Sequence, residues 1–113
     1  MTDESATREG VQIRAFRGTR KASVYRELVL PGSSFLRILL AGRRQGLALL
    51  ASFDRAGPHE LGKADARRLA DEATRIRSSA ELPELDGELT ALAEVARWCA
   101  RARDEAWLRI EGS

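Results

Sequence analysis

The chain has 113 residues, 43% apolar and 32% charged, with a net charge of +2, so it can build one hydrophobic core but not two. No stretch approaches the roughly 20 apolar residues of a membrane span, and the acidic, polar start MTDESATREG does not read as a secretory signal. A single cysteine and a single histidine exclude an internal disulfide framework and cysteine-cluster or paired-histidine metal sites, so neither a metal nor a cofactor is expected.

Residues 1–9 are polar and unpatterned and are expected to fray, leaving 10–113 as one domain. Val11, Ile13 and Ala15 alternate with Gln12, Arg14 and Phe16, the period of a strand. Arg17 to Lys21, with Gly18, reads as a hairpin loop, and the β-formers Val24, Tyr25, Val29 and Leu30 predict a second strand that stops at Pro31-Gly32. Residues 35–41 fit a short helix capped by Ser33 or Ser34, or a strand buried on both faces. The compact loop Gly42-Arg43-Arg44-Gln45-Gly46, followed by the apolar run 47–53, favours a hairpin. The second of those strands, the most apolar segment, is then expected at the centre of the sheet. Residues 54–58 read as a turn.

Beyond this point the period changes. Leu61, Asp65, Leu69, Ala73 and Ile76 lie at helical spacing after a Gly62 cap, predicting a helix over 63–78. Pro83 forbids its continuation. Leu89, Leu92, Ala93, Ala96, Cys99 and Ala100 form the apolar stripe of a helix over 87–103, with Glu94, Arg97, Trp98 and Arg101 towards its wetter side. Residues 107–110 predict a short closing strand. Strands first and helices after imply an α+β fold: a mainly antiparallel sheet of about four N-terminal strands plus a short C-terminal strand, with two antiparallel helices packed on one face.

Charge is unevenly distributed. Residues 1–53 carry +5 and residues 54–113 carry −3. A basic N-terminal half suits an acidic protein partner or nucleic acid. Chemistry-bearing constellations are missing. His59 follows Gly57-Pro58 at an expected turn, Cys99 falls on an apolar helix stripe, and neither a nucleophile elbow nor a phosphate loop is present. No catalytic residues are therefore expected.

From residue 50 onward the sequence resembles a group of short bacterial α+β proteins common in myxobacteria and similar large genomes. The resemblance rests on Asp54, Gly57, Leu61, Leu69 and Glu72, then Val95 to Cys99, then Trp107, Leu108, Ile110 and Gly112. Gly62 and Ser113 depart from the asparagine and aspartate often found there. The resemblance implies an α+β fold, no catalytic residues, and the role of an immunity or accessory protein for a partner encoded nearby. The order of elements from Val11 to Ile76 is also similar to that of single-strand-binding transcription cofactors. That likeness implies a base-stacking sheet face using Arg14, Phe16, Tyr25 and Arg26. The leading expectation is a cytoplasmic, non-enzymatic protein-binding module. Its contact surface is the free sheet face and its loops: Phe16, Arg17, Arg20, Lys21, Tyr25, Arg26, Arg43 and Arg44. Single-stranded nucleic-acid binding is the alternative, and homodimerisation stays open.

Overall fold

A computed structural model of the chain describes residues 10–18, 23–53 and 57–112, with backbone alone for residues 23–25. Its elements are β1 (Val11–Arg17), β2 (Ser23–Leu30), α1 (Gly32–Arg44), α2 (Ala48–Ser52), β3 (His59–Leu61), α3 (Lys63–Ser79), a 3₁₀ turn (Pro83–Leu85), α4 (Asp86–Arg101) and β4 (Ala106–Gly112). The four strands form one antiparallel sheet in the order β2-β1-β4-β3. This is the α+β class that the alternation of periods implied.

The sheet has one dry face and one wet face. Val11, Ile13 and Ala15 of β1 and Ala106, Leu108 and Ile110 of β4 are buried, while the residues between them are not. Strand side chains alternate between faces, so these six lie on the helix side. They share one core with Phe35, Ile38 and Leu39 of α1, Leu69, Ala73 and Ile76 of α3, and Leu89, Leu92 and Cys99 of α4.

Helices α3 and α4 pack antiparallel. Lys63 Nζ at the start of α3 donates to the Ala102 carbonyl just past α4, Arg97 donates to Thr74 Oγ1, and Arg77 pairs with Asp86 at the other end. The predicted spans 63–78 and 87–103 thus become 63–79 and 86–101.

The segment 35–53 corrects the expected hairpin. Residues 35–41 lie in helix α1, not in a strand. Phe35, Ile38, Leu39 and Ala41–Gly42 are buried while Leu36, Arg37, Leu40 and Arg43 are exposed, a period near 3.6. The run is also rich in leucine and alanine, which favour helix over strand. Instead of forming a hairpin tip, residues 42–44 continue α1, and Gly46 at φ +68° reverses the chain. There Leu47 N–H donates to the Gly42 carbonyl and Gly46 N–H to Arg43, a left-handed helix stop. Residues 47–53 hold the short helix α2 rather than a central strand. The central strands are β1 and β4. Of the turn expected over residues 54–58, residues 54–56 lie outside the described residues, and His59, expected at that turn, lies in β3, paired with Ile110.

Two contacts fix α2. The Glu72 carboxylate of α3 accepts the N–H groups of Leu49 at 3.0 Å and Leu50 at 2.8 Å, taking up backbone donors that a short helix leaves unpaired. Gly42 lets α1 approach, because a Cβ there would lie 2.6 Å from Leu50 Cβ.

Glu72→Ala is expected to cost about 1–2 kcal/mol, against at most about 0.5 kcal/mol for the exposed neighbour Asp71→Ala, measured by urea unfolding. In the same assay Gly42→Ala is expected to cost about 1–3 kcal/mol, because α2 must move away from the added methyl group.

Candidate functional site

The open face of the sheet is closed on itself electrostatically. Arg14 Nε lies 2.7 Å from Glu27 on β2. Arg14 stands opposite Arg109 on β4, which is paired with Glu60 on β3 at 3.2 Å and with Glu111 at 3.1 Å. The hydrogen bond to Glu111, chiefly, raises the Arg109 pKa. A row Glu27–Arg14–Arg109–Glu60 therefore crosses all four strands with its charges balanced. Beside it, Phe16 and Trp107 stack face to face, ring centroids 4.2 Å apart and 13° from parallel. Cross-strand partners of this kind stabilise the sheet itself.

Trp98, on the helix side, sits in a different environment. It is half-buried on α4, at the junction of the apolar stripe and solvent. The guanidinium of Arg26, reaching from β2, lies 5.8 Å from the centroid of its ring. Arg26 is opposite Ala15 in the ladder, so it projects to the dry side, and it is exposed at the sheet edge. Arg97 and Arg101 are one helical turn apart on α4. Together with Glu94 and Ala102 these residues line a cavity of about 440 Å³. A smaller cavity beside Trp98 is lined by Arg17, Ala102 and Arg103. Another, between α3 and α4, shares Arg97 and Arg101 and adds Arg67 and Asp71.

Several of these arginines lack a carboxylate partner among the described residues, as do Arg43 on α1 and Arg68 and Arg75 on α3. Among the described residues Arg26, Arg67, Arg97, Arg101 and Arg103 form no ion pair. Arg14, Arg17, Arg37, Arg44, Arg77 and Arg109 each have a carboxylate partner. A further cavity of about 650 Å³ lies beside the start of α2, lined in part by Arg68, Asp71, Glu72 and Arg75. Its Glu72 is already engaged by the α2 backbone.

The residues predicted for the contact surface fall in separate places. Phe16 is on the open sheet face, stacked on Trp107. Arg17 and Arg26 meet at Trp98, although Arg17 is held by Asp104 at 3.1 Å from Nε. Arg43 and Arg44 occupy the last turn of α1. Arg44 pairs with Glu81 in the link between α3 and α4, and Gln45 also donates to Glu81, at 3.0 Å. The hydrogen bonds from Gln45, then Arg44, hold the Glu81 carboxyl below its usual range. That link lies at the end of α4 opposite to Arg101. With 16 residues in α4, the two ends are about 24 Å apart. Arg20 and Lys21 lie outside the described residues, as does the side chain of Tyr25.

Trp98, Arg97 and Arg101 are absent from the predicted surface. Their signal was the sequence Arg97-Trp98-Cys99-Ala100-Arg101, two arginines at i and i+4 flanking an aromatic on the wetter side of an amphipathic helix.

The chemistry-bearing singletons are packed into the fold. His59 stacks on Phe53 at 4.7 Å between ring centroids. Cys99 is fully buried in the core, and burial pushes its thiol up to about 11. Among the described residues no three His, Cys, Asp or Glu side chains gather closely enough to hold a metal ion, and no helix is long and apolar enough to cross a membrane. No family model and no curated protein sequence matches the chain.

The raised thiol pKa has a definite sign. The folded state holds the Cys99 proton more tightly than the unfolded chain does, so this contribution to stability is complete below the unfolded thiol's pKa. It is lost as pH rises towards 11. At pH 8 native Cys99 should react with a thiol reagent about a hundredfold more slowly than the urea-unfolded chain, from the thiolate fraction alone. Cys99→Ala should remove the corresponding alkaline loss of stability, read by urea unfolding at pH 8 and pH 10.

Proposed function

We propose that this chain is a cytoplasmic, non-enzymatic binding module that docks an acidic protein partner, in the manner of an immunity or accessory protein. The observation that carries the reading is the uneven pairing of its arginines. On the sheet face Arg14 and Arg109 are matched by carboxylates of the chain itself, whereas beside Trp98 Arg26, Arg97 and Arg101 have no carboxylate partner among the described residues. Unpaired, exposed arginines steer an anionic partner into contact, and an aromatic among them offers the desolvated anchor typical of interface hot spots. The stacked His59 and the buried, protonated Cys99 agree with a non-catalytic role, and an unpaired thiol suits a reducing compartment. The partial resemblance to immunity and accessory proteins points the same way.

A second reading is favoured by the Arg26–Trp98 pair. A tryptophan flanked by arginines can stack a base and hold its phosphate, as single-strand-binding proteins do. The sheet face expected for that purpose is a poorer candidate, since among its described residues the two aromatics stack on each other and the arginines are paired.

The test is capture from the producing cell's lysate by the tagged chain, with retained molecules identified by mass spectrometry. One stoichiometric acidic protein is expected, lost with Arg97→Glu or Arg101→Glu and kept with Arg43→Glu at the far end of the helix layer. A captured protein indifferent to Arg97 and Arg101 overturns this surface. Nucleic acid alone, released by salt, replaces the reading with the second one.

A further inference from the structure

The cavities around Trp98 restrict what kind of acidic partner fits. At about 440 Å³ the main cavity falls within the roughly 300–1,000 Å³ typical of ligand sites. Open to solvent over much of its extent, it can take a few side chains of a partner. Its charges are also graded. Arg26, Arg97 and Arg101 gather about the indole, while Glu94 stands on the same rim and Asp71 on the rim of the adjoining cavity between the helices.

We infer that this corner receives an extended acidic peptide segment of the partner, with carboxylates on Arg26, Arg97 and Arg101 and a neighbouring apolar side chain packed against Trp98. The inference rests on the protein-binding reading above and specifies its mode. Spacing supports it. Arg97 and Arg101 are separated along the helix axis by about 6 Å. Alternate residues of an extended chain, which share one face, are about 6.6 Å apart. A segment with carboxylates at every second position therefore matches the two guanidinium groups: the Arg101 fork can take a carboxylate bidentately, and Arg97, whose Nη2 already donates to Thr74, offers its remaining N–H groups. The acidic rim groups discriminate as well. A phosphodiester strand bears a charge at every unit and would bring some of them against Glu94 and Asp71. A peptide can place neutral residues there.

The probe is Trp98 fluorescence in the Trp107→Phe chain, where Trp98 is the single indole left of the two tryptophans. The titrants are a short peptide containing Leu-Gly-Glu-Gly-Glu, the same peptide with glutamine for glutamate, an oligothymidylate and inorganic phosphate. The acidic peptide should shift the emission saturably and the glutamine peptide should not. Arg101→Glu, an exposed change that leaves the core intact, should weaken the peptide by at least about tenfold. Trp98→Ala, followed by calorimetry, should weaken it by about thirtyfold.

An oligothymidylate that saturates the signal where the acidic peptide does not would overturn the inference. So would equal binding of both peptides, or a peptide affinity indifferent to Arg97→Glu and Arg101→Glu. Phosphate alone matching the peptide would reduce the corner to a general anion site and also overturn it. If the peptide fails while an Arg101-dependent protein is still captured from lysate, this mode falls and the protein-binding reading stands. If the peptide binds but lysate yields only nucleic acid, the reading of function falls and the corner's preference for acidic peptide stands.

Discussion

The antiparallel pairing of β1 with β4 is the interaction on which the rest of the molecule depends. It joins Val11 to Gly112 and Arg17 to Ala106, so the two central strands of the sheet are far apart in sequence. Both edge strands hang on this pair, β2 on β1 and the three-residue β3 on β4. The dry row contributed by the pair is the floor against which α3 and α4 bury their apolar stripes, with α1 packed on α3 in the same core. Long-range pairing carries a loop-closure cost that local helices avoid, and the helical segment between the strands repays it by filling the space above them. Lys63, holding the carbonyl just beyond α4, ties the start of α3 to the point where the chain turns back towards β4.

Sequence patterns revealed the elements whose environment has two distinct sides. β1 and β4 alternate wet and dry, and α3 and α4 carry one apolar stripe each, so they were readable from the residues alone, while β2 was legible from its β-forming residues. Residues 35–53 were not, for physical reasons. In α1 the exposed Leu36 (36%) and Leu40 (38%) blur the helical stripe into a continuous apolar run that resembles a buried strand. In α2 the group that holds the first backbone donors is Glu72, over twenty residues away, so no local cap announces the helix. β3 is too short to show a pattern and exists because β4 offers it a partner.

The site was legible in part. Phe16 and Arg26 were rightly seen as strand residues, whereas Arg17, expected in the hairpin loop, is the last residue of β1. The charge asymmetry between the two halves of the sequence also changes meaning on folding. Asp104, Glu84 and Glu81 come from the acidic half to meet Arg17, Arg37 and Arg44 of the basic half. The cations left unmatched around Trp98 come mostly from the half whose net charge is negative. Charge summed along the chain gave no guide to charge summed across a surface.

One face is thus internally balanced and the other is not, and this has a consequence for motion before contact. Among the described residues, Arg26, Arg97 and Arg101 lie without carboxylate partners near the C-terminal end of α4, while the balanced row on the sheet adds little net field. Such an uneven placement of charge is an electric moment. In the field of an anionic body the molecule experiences a torque as well as an attraction, and it rotates to present the Trp98 end within roughly a Debye length, about 8 Å at physiological salt. The row of paired charges on the sheet therefore shapes encounters it takes no part in, because a silent face leaves the orientation of the diffusing molecule to the unpaired cations elsewhere.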